Sequence, residues 1–421
     1  MIKESKMLRI LPAVAMLLLT ALPLLAAAIG DASSEKPLAL VGATIWVTPA
    51  EEPIRDGVMV VRDGKIVAVG PRAEVKVPPS AKVLDCSGMT ITAGFWNSHV
   101  HFFERKWANV ATIPAAELGL QLQDFLTRYG FTSVFDTGSM WENTRRLRDR
   151  IESGEVPGPH IRSTGEALIA PHALPPDLVF RIMGTMSFPA PEIADADQAT
   201  AATKKLLDEG VDAIKVHLQP PPPPNPPMPE SAVAAAVKQA HARGKLVFVH
   251  PSSGADVLMA VRHGVDIVAH TTPHSGPWDQ ALIATMKDHN VALTPTLTLW
   301  KYYARHDRAS AQQKIVDAET EQLRAWVAAG GIVLFGTDLG AIDPDPSEEY
   351  ALMAASGMDF RQILASLTSS PAERFGESKR LGRLAAGMDA DLVVLDGDPA
   401  HDLHALTAVK YTLRGGKIIY Q

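Results

Sequence analysis

One phrase recurs through the middle of the chain and restricts its fold more than any other feature. "LQDFLTRYG" precedes "FTSVFDTG", "TKKLLDEG" precedes "VDAIKVH", and "AVAAAVKQAHARG" precedes "KLVFVH". "ADVLMAVRHG" then precedes "VDIVAHT", and "EQLRAWVAAGG" precedes "IVLFGTD". Each first part carries apolar residues at helical spacing and closes on Gly130, Gly210, Gly244, Gly264 or Gly330. Glycine there suits the left-handed turn that ends a helix. Each second part is short, apolar and β-branched, the composition of a strand buried on both faces. "DHN" before "VALTPTL" repeats the phrase with Asn290 in the glycine role, and "VPGP" before "HIRSTG" is a looser copy.

With the strand around "ITAGFWNSHVH", the reading gives eight strands between about Ile91 and Asp338. Strands alternating with helices make parallel βαβ units. Eight of them in roughly 250 residues predict an α/β chain built on a (β/α)8, or TIM, barrel, here over residues 91–376. The rival is an open doubly wound sheet, whose commonest ligand signature is missing because no G-x-G-x-x-G follows a strand. Before the barrel, "LALVGATIWVTP", "DGVMVVRDGKIVAVG" and "AKVLDCSGMTI" read as strands with Asp-Gly turns, and "DADLVVLDGDP" and "VKYTLRGGKIIYQ" repeat that style after it. Both ends are therefore expected to form one small β-sandwich domain, residues 36–90 with 377–421, into which the barrel is inserted.

The N-terminus adds an address. "MIKESKMLR" carries Lys3, Lys6 and Arg9, "ILPAVAMLLLTALPLL" is apolar, and "AAAIG" supplies small residues. That is the three-part plan of a secretory signal, residues 1–30, which places the mature chain in the periplasm or outside the cell. An uncleaved anchor is the alternative, but the run is short for a span and holds Pro12 and Pro23. No other segment predicts a membrane contact. Cys86 is the single cysteine, so no intramolecular disulfide forms despite an oxidising destination. A net charge of −7 and the lack of any basic cluster exclude nucleic acid as a partner and leave a small molecule. Homo-oligomerisation stays open.

Chemistry in such a barrel sits where the strands end. Read in order, those ends carry His99 and His101, Asp136, Thr164, Lys215, His250, His270, Thr296 and Asp338. His99 and His101 are two apart, so both face one side of their strand and can grip one ion. A histidine ending a strand is, taken singly, more often a hydrogen-bonded core residue, and Asp338 alone could be a helix cap. Four histidines and an aspartate ending separate apolar strands together predict a metal site.

Lys215 raises its own question. On "VDAIKVH" it shares a face with Val211, Ala213 and His217, where an ammonium costs several kcal/mol unless it is paired or loses its proton. Asp212 points to the other face. A neutral amine beside two cations reacts with carbon dioxide to give a carbamate, an anionic ligand able to bridge two ions about 3.5–4 Å apart. The proline-rich "QPPPPPNPPMPES" that follows is expected to be a stiff wall of the pocket.

"GFWNSHVHF", "GFTSVFDTGS", "VDAIKVH", "VFVH", "IVAHT" and "VLFGTDLG", closed by "GRLAAGMDADLVVLDGDP", resemble the amidohydrolase superfamily, nearest to its imidazolonepropionase-related and prolidase-type members. The resemblance implies that His99, His101 and Asp338 hold the more buried ion and His250 and His270 the other. Carboxylated Lys215 would bridge them. It implies two divalent ions, zinc by default for imidazole and carboxylate ligands. The implied reaction is hydrolysis of a C–N bond in a dipeptide or N-acyl amino acid by a hydroxide bridging the ions, with Asp338 moving its proton. His172, His217 and His274 are candidates to orient the carbonyl or bind a carboxylate. Trp300, Tyr302 and Tyr303 are candidates to line the pocket. A lactonase, phosphotriesterase or cyclic-amide hydrolase would share the metal set, and an exported solute-binding protein would share the length and the signal. A mononuclear deaminase would place a glutamate shortly after His250, where "HPSSGAD" has none.

Overall fold

The computed structural model describes residues 36–173, 184–186, 190–342 and 345–421, so the expected export segment lies outside the described residues. Both ends of the chain meet in one eight-stranded sheet. Its strands are β1 (Leu38–Ile45), β2 (Ile54–Arg62), β3 (Lys65–Pro71), β4 (Lys82–Asp85) and β5 (Met89–Ala93) from the first end. From the other come β15 (Leu392–Asp396), β16 (Val409–Arg414) and β17 (Lys417–Tyr420). The order is β17-β16-β15-β5-β1-β2-β3, with β4 pairing β1. Leu40, Met59, Ile91, Leu392, Val394 and Leu413 bury one core here, which holds the chain ends together through apolar area removed from water.

The nine strands between them are β6 (Phe95–Val100), β7 (Phe131–Asp136), β8 (His160–Ser163), β9 (Leu168–Ile169), β10 (Ala213–His217), β11 (Leu246–His250), β12 (Ile267–Ala269), β13 (Ala292–Thr294) and β14 (Ile332–Val333). They form two parallel sheets, β6-β7-β8 and β9 through β14 in sequence order. The two-residue β9, which the repeat does not foretell, pairs with the far end of β10. The turn residues named from the sequence all take positive φ, from 51° at Asn290 to 94° at Gly210.

Most of the parallel strands are buried on both faces, for different purposes. Ile214, Val216, Val247, Val249, Val268 and Leu293 pack into the large core against the helices. Phe135, Ala213, Phe248, Ile267, Ala292 and Leu334 form a separate cluster on the inner face. Phe375 packs against this floor from the C-terminal side, its ring centroid 4.8 Å from that of Phe135 and 6.2 Å from that of Phe248. Because side chains alternate, Lys215 and His250 stand one step above Ala213 and Phe248 on this inner face.

Hydrogen bonds join the two parallel sheets on both sides. Asp212 N donates to Ser163 O at 2.8 Å. On the other side Ser98 N donates to Phe335 O, Asp338 N to His99 O and His101 N to Leu339 O, at 2.7, 3.0 and 2.7 Å. This second seam needs the two glycines of "GTDLG". A Cβ on Gly336 would sit 2.4 Å from Thr294 Cγ2, and one on Gly340 would sit 2.2 Å from His101 O. Among the described residues no helix is long and apolar enough to cross a membrane.

Candidate active site

The C-terminal ends of the parallel strands open into a cavity of about 620 Å³ lined by His99, His101, Lys215, His217, His250, His270 and Asp338. Residues separated by as much as 239 positions in the chain are thus gathered by strand register alone. His99 Nε2 and His101 Nε2 lie 3.4 and 2.9 Å from Asp338 Oδ1. One ligand atom from each of the three falls within 4.8 Å of the others, an arrangement able to hold a metal ion. Ring centroids step from His101 to His99 (5.2 Å), to His270 (4.6 Å) and to His250 (4.5 Å).

These groups are buried and short of partners. His99, His270, Lys215 and Asp338 are all under 5% exposed. Lys215 Nζ, His99 Nδ1 and His101 Nδ1 are buried without a hydrogen-bond partner among the described residues. A native core rarely tolerates one such atom, because leaving it unpaired costs about 1–3 kcal/mol. Burial pushes the Lys215 ammonium down to about 7, against the pull of the Asp338 carboxylate. Burial and the neighbouring Lys215 charge hold His99 and His270 well below the usual imidazole range, and burial with the adjacent His217 and His270 does the same for His250. Neutral imidazoles with free lone pairs, a carboxylate and an unprotonated amine are what divalent cations take as ligands, so the donor set fits the pair of ions expected from the sequence.

His270 is set for this role by its neighbour. Thr296 Oγ1 donates to Pro295 O at 2.8 Å and so must accept from His270 Nδ1, 2.5 Å away. The proton on Nδ1 frees the Nε2 lone pair. Three residues of the site, His270 (φ 77°), Thr296 (45°) and Asp338 (57°), have left-handed backbones, a strain of about 1–3 kcal/mol each that accumulates where function requires it.

Several supports were not foreseen from the sequence. Asn97 Nδ2 donates to Thr337 Oγ1 (2.7 Å) and its Oδ1 accepts from Thr337 N (3.2 Å), which ties β6 to the segment bearing Asp338. The buried Glu349 carboxylate accepts from Leu297 N and Thr298 N, both 2.9 Å, and anchors the start of the helix Leu297–Tyr303. That helix presents Trp300 and Tyr303 to the cavity. Tyr302 faces elsewhere, under the Arg305 guanidinium.

Of the three further histidines proposed for substrate, only His217 reaches the cavity. His172 and His274 are exposed and are not among the residues that line it. Neither is on a strand. His172 follows β9 in a left-handed turn, and His274 belongs to the short helical turn Pro273–Ser275 with its ring 5.7 Å from that of Trp300. Asp136 is fully buried and accepts from Ser139, Thr144 and Ser163 hydroxyls, which ties it to the turn after β7 and to β8. Pro220 and Pro222 of the proline run do form part of the wall.

Known proteins resemble this chain in sequence and fold. The chain is 23% identical to ochratoxinase of Aspergillus niger over 92% of its own length and 87% of that protein. It is 25% identical to imidazolonepropionase of Xanthomonas oryzae pv. oryzae over 83% and 89%. Among solved structures, a putative prolidase from Bifidobacterium longum superposes with a TM-score of 0.77 and 25% identity, covering 92% of this chain and 95% of that one. The model of the Amidohydrolase family matches residues 90–419, and the chain belongs to that family.

Proposed function

We propose that this chain is an exported, binuclear metal-dependent amidohydrolase that cleaves the C–N bond of a dipeptide or N-acyl amino acid. In this reading the two parallel sheets close into one (β/α)8 barrel over residues 91–376, set into a β domain made by 36–90 and 377–421. The observation that carries it is Lys215: a buried amine without a hydrogen-bond partner among the described residues, in a cavity shared with five imidazoles and a carboxylate. A carbamate on Lys215 would turn the least favourable group in the site into a bridging ligand. His99, His101 and Asp338 would hold one ion and His250 and His270 the other, with zinc the first candidate.

Two divalent ions held there supply a water acidified toward neutral pH and a charge that polarises the scissile carbonyl. The chain's own groups do the rest. Asp338 accepts the proton released at the water and returns it to the departing nitrogen. Thr296 keeps His270 in the tautomer that offers Nε2. Phe103, Ile169, Pro222, Leu299, Trp300 and Tyr303 line the remaining wall, which supports a substrate with an apolar or aromatic part.

A panel of dipeptides, N-acyl amino acids, lactones and aryl phosphates on zinc-loaded protein tests the reading. Turnover is expected on amides with an aromatic or aliphatic side chain. Turnover confined to lactones or phosphates would overturn it.

A further inference from the structure

We propose that His217 is a substrate contact, its Nε2–H donating a hydrogen bond to the carbonyl oxygen of the bond being cleaved. The inference rests on the amide-hydrolase reading above and adds a residue to it. Three observations place the ring. First, His217 shares the inner face of β10 with Lys215 and lies one two-residue repeat, about 6.7 Å, closer to the mouth. Second, it pairs in register with His250, and the two rings lie flat on one another, centroids 4.0 Å apart and planes 12° from parallel. The stack fixes the plane of the ring. Third, Gln219 N donates to His217 Nδ1 at 3.3 Å.

The third observation settles the proton. A backbone amide can only donate, so Nδ1 carries the lone pair and the ring hydrogen sits on Nε2. That nitrogen cannot be a ligand in this tautomer, and the five other side chains with Lys215 already complete a two-ion set without it. It has no hydrogen-bond acceptor among the described residues. A neutral donor at the edge of the ligand cluster, facing the cavity, is suited to an oxygen that gains negative charge as the carbonyl carbon becomes tetrahedral. Such donors act mainly on the transition state.

The test uses the full zinc-loaded chain with His217→Phe, which keeps a flat ring against His250 but has no donor, and His217→Gln, which keeps an N–H. Bound zinc, kcat and KM are measured on the fastest amide of the panel. The methylphosphonamidate of L-phenylalanine serves as a tetrahedral probe. For the Phe variant the expected result is unchanged zinc, KM within about threefold, kcat lower by about 10²–10³-fold, and probe affinity weakened by a similar factor. The Gln variant should recover at least about tenfold of that loss. Wild-type kcat in the Phe variant, loss of its zinc, or a Gln variant no better than Phe would each overturn the assignment. Absence of any amide turnover by the wild type would instead remove the underlying functional reading.

Discussion

Where the parallel strands begin, against the terminal sheet, buried charge is answered by opposite charge. Arg162 lies between Asp212 (3.2 Å) and Glu377, and Asp212 also meets Arg148 at 2.8 Å. His160 sits between Glu152 (3.1 Å) and Asp391 (3.2 Å), with Arg414 on the same glutamate at 2.6 Å. Asp212 and Asp266, just before β10 and β12 in "GVDAI" and "GVDIV", accept the N–H of Ser163 in β8 and of Val247 in β11 at 2.9 and 2.8 Å. Where the same strands end, Lys215 and the outer nitrogens of His99 and His101 are buried and unanswered. One fold thus treats its two rims oppositely. Satisfied charge at the first rim fixes how the terminal sheet joins the parallel strands, whereas unsatisfied groups at the second wait for something the chain does not itself contain.

The comparison can be broken most severely at Lys215. Replacing it by alanine should lower kcat/KM by more than about 10³-fold, with partial restoration by short carboxylic acids that substitute for the missing bridge. Steady-state kinetics with and without acetate or propionate reads this. Asp338→Asn should cost about 10²–10⁴-fold in kcat through lost proton transfer, with the midpoint of urea unfolding close to wild type.

The first rim should respond in the opposite way. Arg162→Ala leaves Asp212 and Glu377 less well paired and should cost roughly 2–3 kcal/mol of stability, below the value for a fully buried pair because Arg162 is partly exposed. Its kcat per folded, metal-loaded molecule should stay within about twofold, since the joint contributes only to holding the scaffold. A loss of kcat comparable to that of Asp338→Asn would erase the distinction between the rims.

Two smaller effects sharpen it. Thr296→Val removes the acceptor for His270 Nδ1 and should weaken metal affinity by about 10–100-fold while the ligands remain. Competition with a chelator measures this. At the joint, burial alone would raise the Glu152 carboxyl, but the His160 hydrogen bond and the Arg414 charge bring it down to about 2. A depressed carboxyl stabilises the fold above its unfolded value and loses that contribution as pH falls toward the folded one. The stability difference between wild type and Glu152→Gln should therefore be largest at about pH 5–6, in urea unfolding at a series of pH values. It shrinks below that range as Glu152 takes up a proton, and above it as His160, whose imidazole is raised against burial by its bonds to Asp391 and Glu152, loses its charge. A difference independent of pH would show that Glu152 acts through packing alone.

How much of this was legible in the sequence follows the range of each interaction. The helix–glycine–strand phrase is local, and the positive φ of Gly210 and Asn290 follows from it. The cavity residues His99, His101, Lys215, His250, His270 and Asp338 were legible because they close five apolar runs, His99 and His101 sharing one, and the parallel strands carry those ends to one cavity. Thr296, Asn97 and Glu349 were silent as supports. Their partners lie 26, 240 and 52 residues away and depend on how loops approach, which no periodicity encodes. His172 and His274 lie outside the cavity lining for the complementary reason, since they belong to turns and no strand register aims them.

Metal stoichiometry of the purified chain, by elemental analysis after exhaustive dialysis, tests the central claim most directly. The account predicts two divalent ions per chain in the wild type and fewer than one after Lys215→Ala. A wild type that binds no metal tightly, or a Lys215→Ala variant that still holds two ions, would contradict it.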